Sequence, residues 1–476
     1  MNVRKIIEGE VMRKLSEKEF REYSLSGNLY LLIIKVGMPL AIFALFNCLF
    51  SLLDTIMASH LGKIDVSTVA YMSQLRMILS AMGSGLITGS MILINRAYGA
   101  GDNEKANILM NTLIRLVLIL SVVFLLLLPF APLLLELIRT PEEFIEEGTV
   151  YFRIIVVATI INFINLIYIN VEKARGNTNT IMIVNILTMI IKLLLSAFFI
   201  YVLEKGIAFI ALATLITYVL FALYALPHLF EKGSIFCIKP RLVLKGREGY
   251  AKNLVNISYP VAVEDSAFSL GKVVVNSMAA QYGAEMVGAL GISNNISGIA
   301  SNFENGFSDA SSSIISQNYG AKRYDRAIKA YLANIVVTFI ASLIAMTILY
   351  TLDDTLIKIF STSRTGLDAS FMSMIKRVFV YDSLSCFGIA FNGAGMDFLL
   401  GLGKTRITLF LNFLKIFVLR IPVLFILQHF IADGATALGV MMMISNCGGA
   451  IPTTIICLAV ARKLKEQAQN SSRSSE

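Results

Sequence analysis

Tryptophan is missing altogether, charge is scarce, and the only three histidines, His60, His228 and His429, stand far apart. With 15% of 476 residues charged, 56% hydrophobic and a mean hydropathy of +0.72, a soluble globular fold is excluded. Histidines isolated near the ends of apolar runs offer no ligand set, so no metal centre is expected. Cys48, Cys237, Cys386, Cys447 and Cys457 have neither disulfide nor metal spacing and read as packing residues. No cleavable leader is visible, because the first 28 residues mix charges of both signs and the first apolar run is a full span. Residues 403–405 read GKT, but the glycine a phosphate loop needs five places before Gly403 is Phe398, so no nucleotide site or cofactor is implied. No paired nucleophile and base is apparent either, and an enzyme is not expected.

What is present is apolar length. A membrane helix needs about 20 mostly apolar residues to cross about 30 Å of hydrocarbon. The chain offers twelve such runs, from a first core near 30–58 to a last near 435–460. The net charge of +9 could point to nucleic acid, but its placement argues against that. Lys/Arg cluster before residue 28, between 231 and 252, and at Lys322, Arg323, Arg326 and Lys329, all on one side of an alternating threading. The opposite loops hold little beyond Lys63, Arg139, Lys205, Lys358 and Arg364. That asymmetry is the positive-inside rule, and it predicts a multi-pass protein of the cytoplasmic membrane with both termini cytoplasmic.

The second half restates the first. Adding 221 converts Pro39 to Pro260, Gly62 to Gly283, Gly85 to Gly306, and Tyr98-Gly99-Ala100 to Tyr319-Gly320-Ala321. One ungapped offset over nearly 70 residues is an internal repeat. Six spans plus six, joined on the inner side, run in parallel about an axis normal to the membrane, with a cavity between them. The expected fold is therefore all-α integral membrane, with twelve helices in two pseudo-symmetric six-helix bundles. The divisions are a cytoplasmic segment 1–28, a bundle 29–230, a cytoplasmic linker 231–252, a second bundle 253–460 and a tail 461–476.

Charge inside spans marks the candidate site, since an ionisable group there must face protein or water. Span one carries Asp54; span two carries Ser73, Arg76, Ser80 and Ser84 on one helix face. Arg76 could pair with Asp54 structurally, or be displaced when a cation or proton arrives. In span seven Asp265, Ser269, Lys272 and Asn276 form a stripe, with Glu264 alongside; span eight adds Glu304 and Asp309 beside Asn305 and Ser308. One lysine cannot neutralise that many acids, so a cation or proton site is the better reading than a purely structural one. Asp382 and Asp397 of span ten are further candidates, Lys192 of span five is another, and Asn162, Asn165 and Asn170 serve equally as ligands or interhelical bonds. Pro39 and Pro260 free backbone carbonyls and are candidate bend points.

With these pieces assembled, the chain resembles the multidrug and toxic compound extrusion (MATE) family. The resemblance runs from about residue 28 to 460. It rests on LLDTIMASHLG in span one, YGAGDNEKA after span two, the span-seven run from Pro260 to Lys272, SQNYGAKRYDRA after span eight and GLGKTR after span ten. It implies two six-helix lobes and export of organic cationic or amphipathic compounds in exchange for protons or sodium ions. It also implies a monomer in the lipid bilayer with no nucleic-acid partner. Asp54 matches the family's first-lobe aspartate. In NorM-type members the span-seven acid lies about a turn further from its proline, where this chain has Phe268, and the span-ten acid sits nearer the GxG turn than Asp382. Glu264, Asp265, Glu304, Asp309 and Asp397 are thus the second-lobe candidates for ion or substrate, with Arg76 and Lys272 as modulating bases. A lipid-linked saccharide flippase of the same superfamily is the rival, and would be favoured if Lys35, Arg76, Lys192 and Lys272 converge on the cavity.

Overall fold

A computed structural model of the chain describes residues 16–58, 63–137, 145–246, 249–352, 355 and 369–473. A short helix, α1 (Glu17–Ser26), precedes the spans; Ser16 caps it, accepting from the Glu19 amide while the Glu19 carboxylate takes the Ser16 amide. The first lobe follows as α2 (Leu29–Ala58), α3 (Lys63–Gly99), α4 (Asn103–Leu127), α5 (Ile145–Arg175), α6 (Thr178–Ala197) and α7 (Ile207–Leu229). The second comprises α8 (Tyr250–Ala279), α9 (Ala284–Gly320), α10 (Tyr324–Thr351), α11 (Ala369–Leu384), α12 (Cys386–Gly401), α13 (Thr405–Phe413), α14 (Ile421–Phe430) and α15 (Gly434–Arg473).

Among the described residues nine helical stretches are long and apolar enough to cross a membrane, and α11 with α12 make a tenth, bent by 48°. The bend falls where a single straight span was expected. Ser385 turns its hydroxyl onto the Asp382 carbonyl at 2.5 Å, a local alternative to the helical ladder that breaks the run. The remaining two helices, α8 and α9, hold the polar stripes that lower their hydropathy, yet at 30 and 37 residues they are long enough to span. Pro39 and Pro260 sit inside α2 and α8, and both helices run unbroken through them. Large apolar side chains such as Leu126, Leu194, Phe425 and Ile451 point outward, as a lipid-facing surface requires.

The 221-residue repeat becomes a pseudo-two-fold axis. A Cβ added at Gly85 of α3 would lie 2.5 Å from Ala262 Cα of α8; one at Gly306 of α9 would lie 2.4 Å from Ala41 Cα of α2. These are the same contact in the two halves. Likewise Gly99 faces the Gln317 carbonyl and Gly320 the Arg96 carbonyl, each leaving only 2.0 Å for a Cβ. Small residues thus let helices of opposite lobes touch backbone to backbone along one half of the molecule. The turns that end α3 and α9 also correspond. Gly101 (φ +79) and Lys322 (φ 59) both take the left-handed conformation, so the second lobe makes with lysine a turn that glycine makes in the first.

The linker is bound to the first lobe. Asn107 of α4 donates to the Ile235 and Cys237 carbonyls, both at 2.9 Å, and Asn111 accepts from the Lys239 amide at 2.7 Å. Helix α2 bridges the lobes: Leu32, Ile33, Val36 and Leu40 share a core with Ile181 of their own lobe and with Phe307, Tyr331 and Phe398 of the second. The two bundles are therefore interlocked through their first helices.

Candidate functional site

On the far side of the glycine contacts from the termini, a cavity of about 920 Å³ opens between the lobes. It lies where the polar stripes of α3 and α8 face each other, because a face unsuited to lipid must turn inward. Arg76, Ser80 and Ser84 line it from α3, and Asp265, Ser269 and Lys272 line it from α8. Asn162 and Asn170 reach it from α5, whereas Asn165 donates to the Tyr218 carbonyl of α7 at 3.1 Å and is an interhelical bond.

One ion pair crosses the cavity between lobes. Lys173 Nζ of α5 stands 3.0 Å from Asp309 Oδ2 of α9, with the lysine 13% and the aspartate 61% exposed. Lys173 was not legible as a site residue, because it follows the apolar run of α5 and reads as an interfacial lysine. Lys192 also lines the cavity, packed into α6 with partners of its own. Among the described residues the lining therefore carries four cations, Arg76, Lys173, Lys192 and Lys272, and two carboxylates, Asp265 and Asp309. Lys35, the remaining basic candidate, lies elsewhere, 5.8 Å from the Tyr23 ring centroid. Lys272 packs over the Phe268 ring at 4.8 Å, at the position where the family pattern has an acid.

The other acids are not gathered with Asp265. Glu264, one residue earlier, turns away from the cavity and accepts from Thr408 Oγ1 at 2.9 Å and Asn412 Nδ2 at 3.2 Å of α13. Glu304 is 4% exposed inside the second lobe, with Oε1 unpartnered. Asp397 keeps a buried, unpartnered Oδ2 on α12. The second-lobe candidate acids are thus divided between a cavity wall and the lobe interior. Asp54 lies on α2, and its side chain is outside the described residues, so its approach to Arg76 is too.

A second polar cluster fills the interior of the second lobe. Arg420, 6% exposed, donates to Ser445 Oγ at 3.2 Å and Asn446 Oδ1 at 3.1 Å; Asn446 donates to Ser385 Oγ at 2.9 Å, and Ser385 reaches Asp382. Lys415 and Arg420 sit on a π-helical segment, Leu414–Arg420, whose wider turn shifts the side-chain register from that of a regular helix, and Arg420 is buried there. Asp382 therefore belongs to an internally compensated network. The rule that flags acids in spans flags these two cations equally.

The comparisons with known proteins agree with this geometry. The MatE family profile matches residues 39–198 and 260–426, the same segments of both lobes. The chain is 21% identical over 407 residues to the probable multidrug resistance protein NorM of Thermotoga maritima, covering 84% of this chain and 86% of that one. It is 24% identical over 314 residues to the probable multidrug resistance protein YoeA of Bacillus subtilis, covering 64% and 68%. Among solved structures, the outward-facing conformation of a multidrug resistance MATE family transporter of the MOP superfamily superposes with a TM-score of 0.87 at 22% identity, over 93% of this chain and 98% of that one. A MOP superfamily transporter from Pyrococcus furiosus, described by the reverse polarity of its binding pocket, gives 0.86 at 22% identity over 93% and 98%. With the profile repeated in each lobe and a cavity between them, this chain belongs to the MatE family of multi-pass membrane transporters, not to an enzyme family.

Proposed function

We propose that the chain is a secondary active exporter of amphipathic organic compounds, exchanging them for protons or sodium ions by alternating access. The observation that supports this best is the cavity of about 920 Å³ lying between two lobes that, among the described residues, touch backbone to backbone at one end. A site offered to one side at a time is what antiport requires, because the coupling ion must favour one lobe arrangement and the substrate the other. In this reading the basic face carrying the linker is cytoplasmic, and the cavity faces outward. Asp54 takes the coupling ion in the first lobe, and Asp265 on the cavity wall serves the second, with Glu264 behind it against the cavity residue Asn412. Pro39 and Pro260 are the points at which α2 and α8 flex, and the unit of transport is one chain. The relatives' description as probable multidrug resistance proteins supports drug-like amphiphiles as substrates.

A second reading rests on a specific observation, the four cations on the cavity wall. Three of them, Arg76, Lys192 and Lys272, are the groups a lipid-linked saccharide flippase would use for its pyrophosphate. One experiment separates the two. Proteoliposomes holding the full chain are loaded with a fluorescent organic cation or a fluorescent lipid-linked phosphate, and imposed sodium and proton gradients are tested separately. Gradient-driven cation efflux lost in Asp54→Asn supports the exporter. Gradient-independent movement of the lipid, lost in Arg76→Gln/Lys272→Gln, would replace it with the flippase.

A further inference from the structure

A second cavity, of about 960 Å³, lies at the face that carries the linker, where the ends of α3 and α9 meet the starts of α4, α8 and α13. Transport through the central cavity does not use it. Among the described residues its charged lining is Arg96, Lys105, Lys404 and Arg406 against one carboxylate, Asp102. That carboxylate is already engaged, accepting the Lys105 amide at 3.0 Å as the cap of α4.

Arg96 is the anchor of the cluster. Its guanidinium stacks on the Tyr319 ring at 4.5 Å, which fixes its plane, while Nε and Nη2 are buried with no hydrogen-bond partner. Buried charged donors left unpaired are costly, and acceptor oxygens brought to the cavity beside Arg96 would offset part of that cost. Gly403 (φ +59) makes room for that side chain; a Cβ there would stand 2.6 Å from Arg96 Nη2.

Two helix N-termini converge on the same space. Thr405 and Arg406 open α13, and Tyr250 opens α8; neither helix has a side-chain cap. Their first-turn amides and partial positive charge add to the four cations. An anion with several oxygens in tetrahedral array matches a cluster of cations from both lobes beside uncapped amides.

We propose that this cavity binds a phosphate group, supplied by an anionic phospholipid headgroup or by a soluble phosphate. Because its walls come from both lobes, an occupant ties together the face at which the glycine contacts close. Ligand then favours the arrangement described here by as much as it prefers that arrangement to an opened one.

The test uses the full chain, delipidated in neutral detergent, and measures binding of phosphatidylglycerol against phosphatidylcholine and, separately, the thermal shift produced by inorganic phosphate. The variant is Lys404→Gln/Arg406→Gln, both exposed positions. Its control, Lys329→Gln/Lys463→Gln, removes the same charge from exposed sites outside the cavity. Phosphatidylglycerol should bind the native chain more tightly than phosphatidylcholine, and the Lys404/Arg406 variant should lose about tenfold of that affinity while the control loses less than about twofold. A thermal shift by inorganic phosphate without lipid selectivity, abolished in the same variant, upholds the site and assigns it a soluble ligand. Equal binding of both lipids with no phosphate shift overturns the proposal, as does an equal loss in variant and control.

Discussion

Replacing Gly99 or Gly320 by alanine is the sharpest perturbation of the lobe contact. A Cβ at Gly99 would lie 2.0 Å from the Gln317 carbonyl oxygen and 2.5 Å from its Cα; at Gly320 the same atom would lie 2.0 Å from the Arg96 oxygen and 2.6 Å from its Cα. Backbone has no rotamer to yield, so reaching an ordinary contact near 3.4 Å requires the helices to part by about 1.4 Å. Overpacking of this kind costs about 1–3 kcal/mol, and a backbone neighbour puts it at the upper end. Alanine's better helix propensity offsets at most about 1 kcal/mol, so the steric term wins by about 2 kcal/mol. In a protein with a second lobe arrangement, that difference appears as a population shift of about thirtyfold, not as unfolding. Double electron–electron resonance between spin labels at Lys232 and Lys329, exposed on opposite lobes, would report it in a background without the native cysteines. Gly291→Ala, with nothing within 4 Å of its Cβ position, is the control. The reasoning fails if Gly99→Ala and Gly320→Ala leave the distance distribution where Gly291→Ala leaves it, and the pseudo-symmetry fails if only one of the pair acts.

The ion pair across the cavity should respond asymmetrically. Asp309→Asn strands a lysine that is 13% exposed and should cost the closed arrangement about 1–2 kcal/mol, whereas Lys173→Gln leaves a carboxylate that is 61% exposed and should cost less than about 1 kcal/mol; the same distance measurement orders the two. Within the second lobe, Arg420→Gln leaves Asp382 buried without its compensating network, and thermal unfolding should show a loss of about 3 kcal/mol, part of which Asp382→Asn restores in the double variant. At the loop before α15, burial alone would raise the Asp433 carboxyl, but hydrogen bonds from the Thr436 hydroxyl and amide and from Arg377 hold it below the ordinary value of 3.8. Its contribution is therefore present above pH 3.8 and lost as pH falls through the lowered folded value. The stability gap between native chain and Asp433→Asn should be constant near neutrality and close only in that acid window.

Spans and lobe symmetry were legible because they follow from quantities a sequence displays: apolar length and a constant offset. The offset predicted more than topology. Gly85 with Ala262 and Gly306 with Ala41 are one contact seen twice, each pair mapped onto the other by 221 residues. Side-chain direction was harder to read. Glu264 and Asp265 are adjacent, so they must diverge by about 100° around α8, and only Asp265 looks into the cavity. Glu304 and Asp309 are five apart, about 140° around α9, which separates one into the lobe and the other onto the ion pair with Lys173. That arithmetic was available from sequence. The bend at Ser385 and the π-helical turn carrying Lys415 and Arg420 were not, because both depend on tertiary partners that only the packed lobe supplies.

Under the proposed alternating access, the face where the glycine contacts lie has to be tight without being permanent, and its composition suits both demands. Glycine contacts gain close packing but few hydrogen bonds, so opening them strands few polar groups. Direct polar links between the lobes in this region are few among the described residues: Ser90 with Ser258 at 3.2 Å, Ser258 to the Leu86 carbonyl at 3.1 Å, Gln317 to the Ala174 carbonyl at 3.1 Å, and Lys173 with Asp309. Helix α1 adds an indirect one. Its start is held to the first lobe by Glu17, which meets Arg175 at 2.9 Å and the Ile235 amide at 3.1 Å; its end is held by Asn318 on the Ser24 carbonyl at 3.1 Å and Arg323 on Leu25 at 2.8 Å, both from the second. Of these contacts Arg323 on Leu25 is exposed and Asn318 on Ser24 is buried, and a typical hydrogen bond of this kind contributes a net stabilisation of only about 1 kcal/mol. Under the proposed alternating access, closure built from shape and a handful of polar contacts suits two lobe arrangements close enough in free energy for an ion or a substrate to move the balance.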